Sequence, residues 1–263
     1  MSDQNPYQPP VATVEVTPEM GQLGEPRGLP AGRGFSWLGE GFELFKRNPW
    51  IWILNVIIYL VIMMIMGMIP LVSLVSNLLN PVFIGGFMLG CLALDKGQEL
   101  EVSHVFAGFQ RNTGKLVGLG AMSLVLVIVV VLISVAALFG TMGIDMAAME
   151  SVEAAGDPQA GLKVLLVMLV MLLLLVPVAM MFWFAPVILV LNDEVGVLES
   201  MKLSFRGCLK NLLPFLLYGL LGFVLSIVAS IPLMLGWLVL TPVVIASIYA
   251  AYKDIYLGAG DAG

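Results

Sequence analysis

The chain has 263 residues, of which 60% are apolar and 11% charged, where an ordinary soluble domain carries about 45–50% and about 25%. With a mean hydropathy of +1.01 and apolar runs far longer than a core helix needs, the composition excludes a soluble globular protein and predicts a polytopic, all-α membrane protein. The net charge of −6 says little as a total, because each charge acts on the side of the bilayer it occupies.

Residues 1–33 hold six prolines and no apolar periodicity, which predicts a disordered cytoplasmic tail. The start, MSDQNPYQPP, lacks the basic and apolar regions of a cleaved leader, so insertion is expected to rely on the first hydrophobic span. A membrane domain is expected over 34–258 and a flexible tail over 259–263.

Four stretches contain no Asp, Glu, Lys or Arg: 50–94, 116–144, 164–192 and 211–252. A helix crosses the hydrocarbon in roughly 20 residues, so the two long stretches hold two spans each and the shorter ones hold one, six in all. Turns are expected at Ile69-Pro70 and Ile231-Pro232, where proline cannot continue the preceding helix. Six spans sort the basic residues sharply. Arg27, Arg33, Lys46, Arg47, Lys96, Arg111, Lys115, Lys202, Arg206, Lys210 and Lys253 fall on one side and Lys163 alone on the other, beside the acidic loop TMGIDMAAMESVEAAGDPQAG. The positive-inside bias then predicts cytoplasmic termini, with Trp37, Trp50 and Trp52 near that boundary.

A short pattern recurs before the first, third and fifth spans: FELFKRN (Phe42 to Asn48), FAGFQRN (Phe106 to Asn112) and FRGCLKN (Phe205 to Asn211). Apolar residues at helical spacing, Phe35, Leu38, Phe42 and Phe45, then Val102, Phe106 and Phe109, then Leu198, Met201, Phe205 and Cys208, predict the packed faces of amphipathic helices too short to span. Each would lie in the interface, and the asparagine would let the chain bend into the membrane. Asn48 is followed after 22 residues by Pro70 and after 11 more by Pro81; Asn211 is followed after 21 by Pro232 and after 10 more by Pro242. The middle unit is looser, with Pro177 and Pro186 as its candidates. The expected architecture is three parallel repeats, each an interfacial helix followed by two spans.

The run SFRGCLKNLLPFLL, the paired hairpins and the ending IASIYAAYKDIY resemble a family of uncharacterised bacterial inner-membrane proteins, the YciC-like group, and more distantly the membrane domain attached to some glycerophosphodiester phosphodiesterases. The resemblance covers about 35–257. It implies architecture and a bacterial inner-membrane location, and it brings no catalytic motif. These residues include no soluble phosphodiesterase domain, so that activity is not implied.

The spans contain no ionisable acid or base; their polar groups are Asn55, Asn77, Asn80, Tyr59, Tyr218, Thr241 and scattered serines including Ser123. Groups of this kind commonly bond between helices, at about 0.6 kcal/mol each. Asn80-Pro81 and Thr241-Pro242 occupy equivalent places, and two readings stay open: packing kinks, or a polar site facing a cavity. His104 is the lone histidine, so no two-histidine metal site is expected, and Cys91 and Cys208 read as small apolar fillers. GFQRNTGKL departs from a phosphate loop in its glycine spacing, and G-x-S-x-G and H-E-x-x-H are absent. No catalytic residue, cofactor or metal is therefore expected. Gly86 and Gly90 share one helical face that suits close packing within the chain or in a homodimer. Lys202, Arg206 and Lys210 recur every four residues as a basic stripe, a candidate for anionic headgroups; it gives nucleic acid no adequate footing. The expected role is non-enzymatic: organising or sensing membrane lipid, or scaffolding a membrane-protein partner. The alternative is a transporter or facilitator of a small neutral or lipidic substrate with its cavity near Asn80 and Thr241.

Overall fold

The computed structural model describes residues 23–142 and 158–257. Residues 1–22 of the tail expected over 1–33, the tail expected over 259–263 and the acidic loop between Met142 and Pro158 lie outside the described residues. The elements are α1 (Arg33–Arg47), α2 (Pro49–Gly67), α3 (Pro70–Asp95), a 3₁₀ helix (Val102–Phe109), α4 (Thr113–Met142), α5 (Pro158–Trp183), α6 (Ala185–Leu191), α7 (Val197–Lys210), α8 (Leu212–Ser230), α9 (Trp237–Tyr252) and a terminal π-helical turn (Lys253–Leu257). Among the described residues six segments are long and apolar enough to cross a bilayer: Pro49–Gly67, Leu74–Asp95, Thr113–Ala137, Met168–Leu191, Leu212–Ser230 and Trp237–Leu257. Both hairpin turns fall where proline requires them. Pro70 stands at the first turn of α3, and around Pro232 the chain turns through Leu233 and Met234, both with positive φ.

The spans are unequal. The second and sixth are largely buried, whereas the first and fifth leave most of their apolar surface open, as expected where lipid is the outer solvent. The core is built from α3, α6 and α9, and every residue of α6 is buried.

Three units follow one another cyclically. The 3₁₀ helix that opens the second unit packs on α3 of the first, α7 of the third packs on α5 and α6 of the second, and α1 of the first packs on α9 of the third. Small residues permit each approach. A Cβ on Gly108 would collide with the Val82 carbonyl, and one on Gly41 would come within 2.5 Å of the Val243 carbonyl. Val82 and Val243 each follow a kink proline, Pro81 and Pro242, so the two contacts occupy the same register.

Where the third unit packs on the second, a hydroxyl replaces the glycine. Ser204 of α7 donates to the Met180 carbonyl at 2.7 Å and accepts from the Phe184 amide at 2.9 Å. Those two backbone groups are an i, i−4 pair, and Ser204 stands where their helical bond would be. The break between α5 and α6 is thus bridged from outside.

Three expectations are corrected. The second interfacial element is a 3₁₀ helix of 8 residues; the short connection between α3 and α4 is covered with fewer residues by its steeper rise. The motif phenylalanines Phe42 and Phe106 are exposed, while the packed face of α1 is Trp37, Leu38, Gly41, Leu44 and Phe45. Finally, residues 23–32 are not a loose tail. They form an extended strap whose Gly24 and Arg27 amides donate to the Tyr256 and Ile255 carbonyls.

Replacing Ser204 with Ala leaves a buried donor and acceptor unmatched, so Ser204→Ala should destabilise the fold by about 1–3 kcal/mol. Thermal unfolding of the detergent-solubilised protein checks this, with Ser200→Ala as the milder comparison, since the Ser200 hydroxyl bonds only within its own helix.

Candidate functional site

The three interfacial elements form a collar at one end of the bundle, and the repeated asparagines tie it together. Asn48 donates its side-chain amide to the Leu100 carbonyl at 3.3 Å, Asn112 to Leu189 at 2.7 Å, and Asn211 to Arg27 at 2.9 Å. Leu100 and Arg27 lie on the segments leading into the 3₁₀ helix and α1, so the third bond closes the ring onto the first, whereas Leu189 lies in α6, the second span of Asn112's own unit. Asn211 also accepts from the Leu29 amide at 2.9 Å, so both faces of its amide hold the strap.

Three aspartates close the collar. Asp254 accepts from Arg33 Nε at 2.5 Å and from the Trp37 indole at 2.9 Å, and Arg27 reaches its backbone carbonyl at 2.7 Å. Asp95 accepts from Lys253 at 2.6 Å and Tyr249 at 3.2 Å. Asp193 accepts from Asn112 at 2.7 Å and Arg111 at 3.2 Å. Each aspartate sits at the collar end of the second span of its unit. Burial opposes ionisation of Asp193, but the hydrogen bonds from Asn112 and Arg111, with the charges of Arg111 and Lys115, outweigh it and hold its carboxyl below the ordinary value.

The expected boundary tryptophans divide. Trp50 is 79% exposed, whereas Trp37 and Trp52 are fully buried: Trp37 is held by Asp254, and Trp52 stacks on Phe87 with centroids 6.0 Å apart.

The basic stripe also divides. Lys202 and Arg206 line a surface cleft of about 660 Å³ with Glu25, Glu199 and Leu198, and Arg206 pairs loosely with Glu25 at 3.9 Å. Lys210 lies outside the cleft and donates to the Pro26 carbonyl at 2.8 Å. Its work is to pin the strap, so only two of the three bases are displayed together.

The polar kinks do not share a cavity. Asn80 and Pro81 line one of about 360 Å³ with Asn77, Ser123, Trp183 and Pro186 among its other walls. Thr241 and Pro242 are not part of it; Pro242 is buried, and the following turn receives α1 through Gly41. Cyclic packing turns the equivalent kinks of different units toward different neighbours, which sequence equivalence does not reveal. Asn80 accepts from the Tyr59 hydroxyl at 3.1 Å.

Gly86 and Gly90 face this chain's own collar. Gly86 lies against the His104 and Val105 carbonyls, and Gly90 against Leu100 and His104. His104 accepts the Glu101 amide at 3.0 Å in a reciprocal cap of the 3₁₀ helix. Cys91 and Cys208 are both free and buried, and burial pushes the Cys208 thiol up to about 12.

Comparison with known proteins finds a relative in Burkholderia thailandensis, named a probable inner membrane protein, 28% identical over 250 residues that cover 87% of this chain and 92% of its own length. The chain is a multi-pass inner-membrane protein. No family model matches it, and no solved structure does.

Two outcomes follow from the collar. The Asp193 clamp contributes stability that is complete above the ordinary carboxylate pKa and is lost as pH falls through the lowered folded-state value. Wild type should therefore unfold at a higher temperature than Asp193→Asn near pH 7, and the two should converge on acidification. The Cys208 thiol, protonated and enclosed, should resist N-ethylmaleimide at pH 8 until the protein is denatured, as read by mass spectrometry of the tryptic peptide.

Proposed function

We propose that this inner-membrane protein is non-enzymatic, that its collar faces the cytoplasm, and that it holds phospholipid headgroups of the inner leaflet. The orientation is supported by the eleven basic residues at the collar end of the spans. The observation that carries the lipid reading is the cleft beside α7. There Lys202 and Arg206 stand next to the 59% exposed Leu198, which puts paired positive charge where a phosphate lies above an acyl chain. Glu25 and Glu199 lower the local potential, so the cleft favours a phosphate accompanied by an amine over a purely anionic head. The collar aspartates favour a non-enzymatic role, because their carboxylates are spent in clamps between elements.

Native mass spectrometry of the protein released gently from its own membrane tests the reading. Wild type should retain phospholipid, enriched in ethanolamine heads, and Lys202→Gln with Arg206→Gln should lose most of it without lowering the unfolding temperature. Equal retention in the double variant overturns the proposal. A co-released polypeptide or a second copy would instead support the scaffold form of the role.

A second reading, a facilitator of a small neutral or lipidic substrate, is favoured by the intramembrane cavity at Asn80. Its first requirement is that such a substrate occupies that cavity.

A further inference from the structure

The cavity lies deep. Asn80 is fifteen residues, or roughly 22 Å at 1.5 Å per residue, along α3 from Asp95 at the collar. Asn77 and Asn80 are nevertheless exposed on the same helix face, three residues apart, and both line the space. The Asn80 carbonyl oxygen is engaged by Tyr59, but its two amide N–H groups have no partner among the described residues, and neither does the hydroxyl of Ser123. On the opposite wall Pro186 has no N–H to return to the Phe182 carbonyl. The Asn80 and Ser123 donors thus line the same space as Phe182, whose carbonyl lacks the donor Pro186 cannot supply, at a depth where hydrocarbon offers no partner and an unmatched polar group costs several kcal/mol.

The remaining wall limits what can answer them. It carries no Asp, Glu, Lys, Arg or His, and Ile84, Leu119, Trp183 and Ile248 make it mostly apolar. A charged head would be left uncompensated. A water-soluble polyol would find too few polar partners. At about 360 Å³ the space takes a small head and its first carbons, so the rest of an amphiphile must lie outside. Ala179 and Trp183 also line an adjoining apolar groove of about 220 Å³ with Val176, Met180, Leu212 and Phe215, and this offers the chain a path along the same helix.

We propose that this cavity binds the uncharged hydroxyl head of a membrane-dissolved amphiphile, a long-chain alcohol or a diacylglycerol, between Asn80, Ser123 and the Phe182 carbonyl. A hydroxyl both donates and accepts, which is what these three groups require together. The inference rests on the cavity alone and is independent of the collar cleft.

The test is photolabelling of the full-length protein in nanodiscs with a diazirine-bearing hexadecanol, followed by peptide mapping. A diazirine palmitate at pH 8 supplies the charged counterpart. Hexadecanol should label 77–84, 119–123 and 179–186 above the other spans, dioleoylglycerol in excess should compete, and palmitate should not concentrate there. Asn80→Leu and Ser123→Ala should each reduce labelling about fivefold, the value of one neutral hydrogen bond, and Ala179→Phe, which intrudes on the space, should reduce it at least as far. Lys202→Gln with Arg206→Gln should label as wild type, which separates failure of this site from failure of the collar reading. Label spread evenly over the lipid-facing helices, equal labelling by palmitate, or indifference of well-folded Asn80→Leu and Ala179→Phe proteins would each overturn the proposal.

Discussion

The structure depends on how the chain passes from an interfacial element into the membrane. Each such junction ends one helix and starts another, and leaves both sets of terminal backbone groups in need of partners. One asparagine does both jobs at the first and third junctions, and at the second Asn112 starts the following helix. The Asn48 amide bonds back to Phe45 while its carbonyl receives Trp52; the Asn211 amide bonds back to Cys208 while its carbonyl receives Phe215; the Asn112 carbonyl receives Leu116. The side chain is then free to hold the chain further on: Asn48 and Asn211 take the segments leading into the next unit, and Asn112 takes the end of its own unit at Leu189 and Asp193. Aspartate has no N–H to donate to those carbonyls, and glutamine would place its amide one methylene too far. A requirement for a short side chain that both donates and accepts accounts for the same residue recurring at 48, 112 and 211.

That link makes the units a ring and not a string. The last unit also reaches the first, and the strap from Leu23 onward is where it does so. Arg27, Arg33 and Trp37 gather on Asp254, and Lys210 and Asn211 take the strap's carbonyls. Closure therefore joins residues more than 200 positions apart. The glycines and Ser204 act in the same cause, since an interfacial element can lie flat on a kinked span only where a side chain is missing or can itself complete the kink. Ser204 is the more economical device: it fills the gap in the α5–α6 ladder with the hydroxyl of the element that docks there.

Much of this was legible in sequence because it rests on local chemistry. Charge-free runs of sufficient length define spans, proline marks their turns, and the Phe-to-Asn motif marks the collar. What escaped depends on which neighbour a residue meets. Phe42 and Phe106 carry the motif yet face outward, whereas Gly41, Gly108 and Ser204, which make the contacts, look unremarkable in a chain with 28 glycines. Asp95, Asp193 and Asp254 were visible as charges following the second spans, and their recurrence at those ends was the available signal. Their partners come from 81 to more than 200 residues away and no local pattern announces them. The stripe Lys202, Arg206 and Lys210 shows the same limit, since helical spacing puts all three on one face, but only the strap decides that Lys210 is occupied.

The partition of charge has a consequence for any occupant of the membrane interior. Apart from Lys163 near the start of α5, the described acids and bases gather at the collar, where water and headgroups screen them, and the cavity at Asn80 is lined by uncharged residues. An uncharged molecule held by neutral groups does no electrical work in crossing the transmembrane potential, whereas an elementary charge does about 2.3 kcal/mol per 100 mV. Its binding is therefore governed by its concentration in the bilayer and by the fit of the cavity, not by the proton gradient or the membrane voltage. A site of this kind suits equilibrium capture or downhill passage. The energy for concentrative pumping would have to come from a group that changes charge, and the wall of this cavity contains none.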